Sequence, residues 1–279
     1  MPLSRTRMTT IGRFAPSPTG PLHLGSLAAA VASWLYARAD NGRWLVRIED
    51  LDRPRVIAGA DREILAALER YGLAWDGEVV YQSQRIALYE AALADLRAKN
   101  FVFDCACSRL DLQRAASAPA ASDPVDAIYP GTCRNGLATG RVARSVRFRA
   151  DGDLAKTTGD FVIKRADGVF AYQLAVVVDD EAQGVTQVVR GADLLDSTPR
   201  QIALQRALGY RTPEYVHVPL VVDANGQKIG KRDGALPLPS LDERHVIDTM
   251  HVALRHLGID VERDQPKRML DAAVTSLRS

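Results

Sequence analysis

The chain has 279 residues, 47% of them apolar and 25% charged, with a net charge of +2. Those values suit a globular protein with one large or two small domains, and they exclude a polycation overall. A run of about 18 apolar residues is missing, which excludes a membrane-spanning helix. The opening stretch, MPLSRTRMTTIGRF, has no apolar core of a secretory signal, so a cytoplasmic protein is expected.

In chain order, residues 9–15 (TTIGRFA) read as a short strand that runs into a Pro/Gly turn, PSPTGP. HLGSLAAAVASWLYARA follows as a helix, unbroken until Asn41-Gly42. RWLVRIED alternates as a strand and ends in carboxylates. Together these form a βαβ unit, for which a parallel strand pair and a right-handed crossover are expected. Helical periodicity returns at 59–72 and 84–99. After a cysteine-bearing segment, RAASAPAASDPVDA is a loop by composition, and RSVRFRA, DFVIKRA and GVFAYQLA read as short strands. YQLAVVVDDEAQGVTQVVRG is apolar with a glycine interruption. STPRQIALQRALG reads as a helix with Ser197 or Thr198 as N-cap, Pro199 at its first position and Gly209 at its end. VHVPLVVD reads as a buried strand, ANGQKIGKRDGA as a polar loop, and 241–260 as helical. Strands interleaved with helices predict an α/β layered domain over 1–240. A cysteine and hairpin block at 101–165 interrupts it, and a short helical segment, 241–279, follows.

The cations are placed unevenly. Of 36 basic residues only six are lysines, and from Arg134 to Arg165 eight basic residues accompany three acidic ones. That stretch is either a phosphate contact or a solvated hairpin face. The three cysteines, Cys105, Cys107 and Cys133, are an odd and clustered set, which argues against a disulfide framework. Two thiolates two residues apart and a distant third supply three ligands of a tetrahedral zinc site. For the fourth, Asp104, Asp111 and water stand open.

The richest signal is Arg13-Phe-Ala-Pro-Ser-Pro-Thr-Gly-Pro-Leu-His23-Leu-Gly25-Ser26. A strand delivers the chain to a turn stiffened by Pro16, Pro18 and Pro21, and the turn opens a helix. The first N–H groups of a helix are unsatisfied and positive, so such a terminus binds phosphates. His23 adds a donor there, and Gly25 leaves space for a flat ring against the backbone. A lone His-x-Gly-Ser would be a turn with a helix-capping histidine; fourteen residues in this order are far more specific.

This run resembles the HIGH motif of class I aminoacyl-tRNA synthetases in its glutamate-group form. Further segments agree in order: Arg47-Ile-Glu49-Asp50-Leu-Asp52, Tyr81-Gln-Ser-Gln-Arg85, Tyr172-Gln-Leu-Ala-Val-Val-Val-Asp179-Asp180, Val189-Arg190-Gly-Ala-Asp193, and Lys228-Ile-Gly-Lys231-Arg232 where the family carries KMSKS. The likeness covers about residues 9–240. It departs from KMSKS at Ile229, Gly230 and Arg232, but keeps the charge of Lys231.

The resemblance implies a Rossmann-type catalytic domain with an inserted zinc-bearing α+β subdomain. It implies ATP held by His23, Gly25, Ser26, Lys228 and Lys231 with Mg2+, and His23 and Lys231 as the catalytic groups. It places Arg13, Phe14, Ala15, Pro16, Ser17, Glu49, Tyr172 and Arg190 in a pocket for L-glutamate. Chemically, arginine forks suit carboxylates, and Glu49 suits the α-ammonium. Tyr129 is implied as the fourth ligand of a structural zinc, with Cys105, Cys107 and Cys133.

Only 47 residues follow Arg232, too few for the helical anticodon-binding domains of full-length glutamyl-tRNA synthetases. The chain therefore resembles their truncated paralogues, which esterify glutamate to the modified base queuosine in the anticodon of tRNA(Asp). A monomer is expected. The alternatives are a compact glutamyl-tRNA synthetase acting on an acceptor end, a small-molecule ligase sharing the first motif, and a non-catalytic tRNA-binding module.

Overall fold

The computed structural model describes residues 9–108, 110–112, 128–222, 238 and 242–278. The first half runs β1 (Ile11–Phe14), α1 (Leu24–Ala39), β2 (Arg43–Ile48), α2 (Ala60–Arg70), β3 (Val80–Tyr81), α3 (Ile86–Ala98) and β4 (Val102–Cys105). Next come β5 (Ser145–Phe148), α4 (Gly152–Thr157), β6 (Phe161–Lys164), α5 (Tyr172–Ala182) and β7 (Gln187–Gly191). The remainder is α6 (Ser197–Leu208), β8 (Glu214–Val218), α7 (Glu243–His256) and α8 (Pro266–Arg278). None of the described helices is long and apolar enough to cross a membrane.

Two compact units divide the chain. The first comprises Met1–Gln84, Gln183–Leu195 and Pro213–Ser279; the second comprises Arg85–Ala182 and Asp196–Thr212. These bounds differ from the expected insertion at 101–165, because α3 and α5 pack on the cysteine-bearing sheet and α6 packs on those two helices.

In the first unit β1 pairs parallel with β2, as a βαβ unit requires, and β2 pairs parallel with β3. β7 and β8 form a second parallel pair. The start of β7 is tied to β1: the Thr186 N–H donates to Ile11 O at 2.9 Å, and the Ile11 N–H donates to Thr186 Oγ1 at 2.9 Å. α1 is buried on nearly every side, from Leu27 to Ala37, because strands and helices both pack on it. Its one buried hydroxyl is satisfied: Ser33 Oγ donates to Ala30 O at 2.9 Å and accepts from Trp44 Nε1 at 2.9 Å. The turn after α1 needs Gly42, since a Cβ there would stand 2.2 Å from Thr10 O.

The segment 241–279 was expected as a separate helical tail. α7 and α8 instead close the core of the first unit, with Val246, Met250, Ala253, Leu254, Met269, Leu270 and Ala273 joining Leu27, Val31 and Leu35 in one apolar cluster. Arg278, in the last turn of α8, donates to Ala39 O at 2.9 Å and to Arg38 O at 2.6 Å, satisfying carbonyls at the end of α1.

The second unit holds an antiparallel sheet, β4-β5-β6. Phe148 stacks on Phe101 with centroids 6.2 Å apart and packs on Phe161 at 5.2 Å. α3 and α5 are joined by the buried carboxylate of Asp179, which accepts from Arg85 Nε at 2.5 Å and from Tyr89 Oη at 2.8 Å.

The reading of GVFAYQLA as a strand is corrected. Phe170 makes one bridge to Lys164, and the chain turns helical at Tyr172. The helix is buried at every position from Leu174 to Asp180, so it has no polar face to give a helical period. In α6, Asp196 holds the N-cap position, so Pro199 stands third rather than first; Gly209 ends the helix with φ 74° as expected. β8 is half-buried rather than buried.

Candidate active site and metal centre

The first unit assembles the phosphate-type turn. β1 ends at Phe14, the proline-rich turn follows, and His23 is the N-cap of α1, with extended φ/ψ. Its Nδ1 accepts from the Ser26 N–H at 3.3 Å, and its Nε2 lies 2.9 Å from Ser26 Oγ. The capping histidine foreseen for a simple turn is thus present. The ring also explains Gly25: a Cβ there would sit 3.2 Å from both Cε1 and Nδ1 of His23. Leu238 N–H donates to Leu22 O at 2.9 Å, and Val221 Cβ lies 3.9 Å from the position a Cβ would take at Gly25. Residues on both sides of 223–237 therefore flank the start of α1. Lys228 and Lys231 themselves lie outside the described residues.

The same unit holds seven of the eight residues expected around glutamate. Arg13 is buried in β1. The Phe14 ring belongs to the core, stacked on Trp44 at 6.3 Å, so only its backbone is left for a ligand. Ala15 and Pro16 are half-buried and Ser17 is exposed. The Glu49 N–H donates to Pro16 O at 2.9 Å, which brings the turn beside the end of β2. The Glu49 carboxylate sits 3.3 Å from the Arg47 guanidinium, whose other arm donates to Gln183 Oε1 at 2.8 Å. Arg190 occupies β7 opposite His217 of β8. Its Nε lies 3.4 Å from His217 Nε2, and its guanidinium is 5.1 Å from the centroid of the Tyr215 ring. Burial, reinforced by the Arg190 charge, holds the His217 imidazole below its ordinary pKa. Tyr172 belongs to the second unit, where it is the first residue of α5.

Asp50 and the Tyr81–Arg85 motif have structural work. Asp50 accepts from Ser83 N–H at 2.8 Å and Ser83 Oγ at 2.6 Å, fixing the turn after β3.

In the second unit Cys105, Cys107 and Cys133 converge, with all three sulfurs within 4.8 Å of one another. Tyr129 joins them. Its Oη lies 3.5 Å from Cys105 Sγ and 3.6 Å from Cys107 Sγ, and it accepts from the Cys133 N–H at 2.8 Å. Cys107 Sγ and Cys133 Sγ are 3.7 Å apart. A tetrahedral zinc with Zn–S of about 2.3 Å and Zn–O of about 2.0 Å has edges of about 3.8 Å (S···S) and about 3.5 Å (S···O). The donor set therefore fits zinc. Of the other ligands left open, Asp111 accepts from the Ser108 N–H at 2.8 Å and pairs with Arg141, and Asp104 pairs with Arg97. Burial works to raise the Cys105 thiol, but hydrogen bonds to the Tyr129 hydroxyl, the Cys107 backbone and Arg147 outweigh it and bring it to about 7. Cys107 is pushed up to about 11, by burial first and by its thiol neighbours. Burial and the three thiols also push the Tyr129 phenol up.

The basic stretch from Arg134 to Arg165 is largely neutralised in place. Arg134 pairs with Asp160, Arg141 with Asp111, Lys156 with Asp153, Lys164 with Glu90 and Arg165 with Asp167. Arg149 lies over the Phe103 ring at 4.9 Å and donates to Arg134 O at 2.8 Å. Arg144 is exposed and has no carboxylate partner among the described residues. Arg147, Tyr215 and His217 were not singled out in the sequence, and Arg47 was named only as the start of a matching segment. The available signal was arginine at apolar-flanked strand positions, in RWLVRI and SVRF, where a charge is unexpected.

The sequence matches the family described as tRNA synthetases class I (E and Q), catalytic domain, over residues 9–148 and 137–265. A glutamyl-Q tRNA(Asp) synthetase of Geobacter sulfurreducens is 57% identical over 243 residues, covering 82% of this chain and 77% of the relative. One of Thiobacillus denitrificans is 56% identical over 263 residues, covering 89% and 85%. Among solved structures, a glutamate tRNA ligase of Elizabethkingia meningosepticum in complex with its amino acid superposes with TM-score 0.70 at 26% identity, over 81% of this chain and 52% of that one. A glutamate-tRNA synthetase of Elizabethkingia anophelis gives 0.70 at 27%, over 81% and 53%. This chain thus spans about half the length of those two. The chain belongs to the glutamyl-Q tRNA(Asp) synthetase family, within the class I tRNA synthetases of the E and Q group.

Proposed function

We propose that this protein activates L-glutamate with ATP and transfers it to queuosine in the anticodon of tRNA(Asp), a cytoplasmic reaction. Identity above 50% to relatives of that name, over most of both chains, is the observation that carries the reading. The start of α1 supports the ATP half. Its first N–H groups, with His23, Gly25 and Ser26, are donors suited to phosphates, and the chain on both sides of Lys228 and Lys231 is anchored beside it.

In the activation step the glutamate α-carboxylate attacks the α-phosphorus in line and pyrophosphate leaves. Negative charge grows on phosphoryl oxygens, so the residues act by positioning and by electrostatic stabilisation, and no protein nucleophile is needed. Lys231 meets the developing charge, and Lys228 and His23 hold the phosphates. Mg2+, when bound with ATP, supplies charge neutralisation at the phosphates. Arg13 and Arg190 supply forks for the carboxylates, Glu49 takes the ammonium, and Ser17 completes the pocket with the backbone of Phe14, Ala15 and Pro16. In the transfer step the activated carboxyl passes to a hydroxyl of the queuosine ring and AMP leaves. Cys105, Cys107, Tyr129 and Cys133 would hold a structural zinc that clips the two ends of the 108–128 segment.

The test is transfer of labelled glutamate to tRNA(Asp) with and without queuosine, beside tRNA(Glu). Labelling confined to queuosine-containing tRNA(Asp) supports the proposal. Labelling of tRNA(Glu) alone would leave the adenylate chemistry and remove the modified base as acceptor.

A further inference from the structure

The second unit contains a buried cation for which the chemistry above has no use. Arg147 stands in the middle of β5, opposite Phe103 of β4, and is 8% exposed. A buried guanidinium is costly unless its charge and donors are met. Among the described residues no carboxylate lies within ion-pair distance of it. Its Nε donates to Cys105 Sγ at 3.4 Å, its guanidinium carbon lies 4.0 Å from the centroid of the Tyr129 ring, and one terminal nitrogen donates to Asp160 O at 3.0 Å. The planar group thus touches two of the four donors at once, one by an edge and one by a face.

We propose that Arg147 is a positioning residue of the metal centre: it orients the Cys105 thiolate through Nε and holds the Tyr129 ring so that the phenol oxygen meets the three sulfurs. The inference rests on the zinc reading of that centre. Three thiolates and a phenolate around a divalent ion leave a net charge of −2 in a buried place, and a guanidinium against the set reduces it to −1. Hydrogen bonds to ligating groups fix their orientation, and their loss typically weakens metal binding about 10–100-fold. Arginine is suited to this place because one flat group both donates at its edge and stacks on a ring, which an ammonium does not. Arg149, two residues on, faces the Phe103 ring and Arg134 O and touches no ligand. It provides an internal control for damage to the sheet.

The experiment compares the full-length protein with Arg147→Met, Arg147→Lys and Arg149→Met. Metal content of the wild type is measured first, then zinc release to a chromogenic chelator, then the absorption spectrum of the cobalt-substituted proteins. Zinc in the wild type, about 10–100-fold weaker retention in Arg147→Met, a smaller loss in Arg147→Lys, and near wild-type retention in Arg149→Met are expected. The cobalt ligand-field bands should shift in the Arg147 variants only. Should Arg147→Met not fold, Arg147→Lys carries the comparison. Wild-type retention and spectrum in Arg147→Lys, or equal losses in Arg149→Met, would overturn the inference. A wild type without zinc would remove the zinc reading and the inference with it.

Discussion

If α7 and α8 are part of the catalytic core, a single truncation there should destabilise the first unit, and its size can be worked out. Met250 on α7 is fully buried in the cluster that α1 shares with both C-terminal helices. Met250→Ala removes a long side chain that the fixed helices around it cannot replace, which costs about 2–5 kcal/mol. With a urea slope of about 2 kcal/mol per M, a loss of about 3 kcal/mol lowers the unfolding midpoint by roughly 1.5 M. The assay can isolate this unit, because all three tryptophans, Trp34, Trp44 and Trp75, lie in it. Urea unfolding followed by tryptophan fluorescence therefore reports on the unit that holds the mutation. Val252 on the same helix is 49% exposed, so Val252→Ala should change stability by no more than about 0.5 kcal/mol. A shift below roughly 0.3 M in Met250→Ala, or equal shifts in both variants, would refute the assignment of α7 to the core.

Other outcomes follow from the site. Lys231→Ala should lose roughly 10²-fold or more in ATP–pyrophosphate exchange, the scale of one removed electrostatic donor, and an unchanged rate would take Lys231 out of the chemistry. Glutamine should be a poor substrate in the same assay, because two arginine forks would face a neutral amide; efficient glutamine activation would overturn the pocket assignment. His217 has its pKa lowered in the folded state, so the unfolded state binds the proton more readily. Stability should then be full above about 6.5, the ordinary histidine value, and should decline as pH falls through that value toward the folded one. His217→Asn should flatten that part of the urea-midpoint profile against pH, and a profile identical to wild type would remove His217 as its source. Stripping bound zinc with a chelator should lower the thermal stability of the second unit and restore it on zinc addition, readable by calorimetry.

The first βαβ unit was legible because each signal agreed: strand alternation, a proline turn, an Ala/Leu helix and a glycine at a tight return. The three cysteines were legible as candidate metal donors because spacing alone brings Cys105 and Cys107 together, and the structure adds Cys133 to them. Tyr129 came only from the family resemblance, since a phenol has no spacing signature. The first turn of α5 was misread as the end of a strand, and the rest was left without a type, because a helix buried on all sides loses its period. The role of 241–279 was missed for a different reason. The amphipathic pattern of α7 shows that one face is covered, but not that α1, more than 200 residues earlier, does the covering. The basic stretch stayed open between two readings because a charge count does not reveal partners such as Glu90 and Asp167, which lie outside the segment counted.

The hydrogen bond from Arg278 to Arg38 O spans 240 residues of chain. At about 5–20 residues per second, a ribosome needs roughly 12–50 s to make the sequence between those two groups. Until α7 and α8 have been made, the surface of α1 that they cover lacks those two partners. The nascent protein therefore carries α1 with an apolar flank exposed until those helices emerge, and exposed apolar surface of that kind favours aggregation during synthesis.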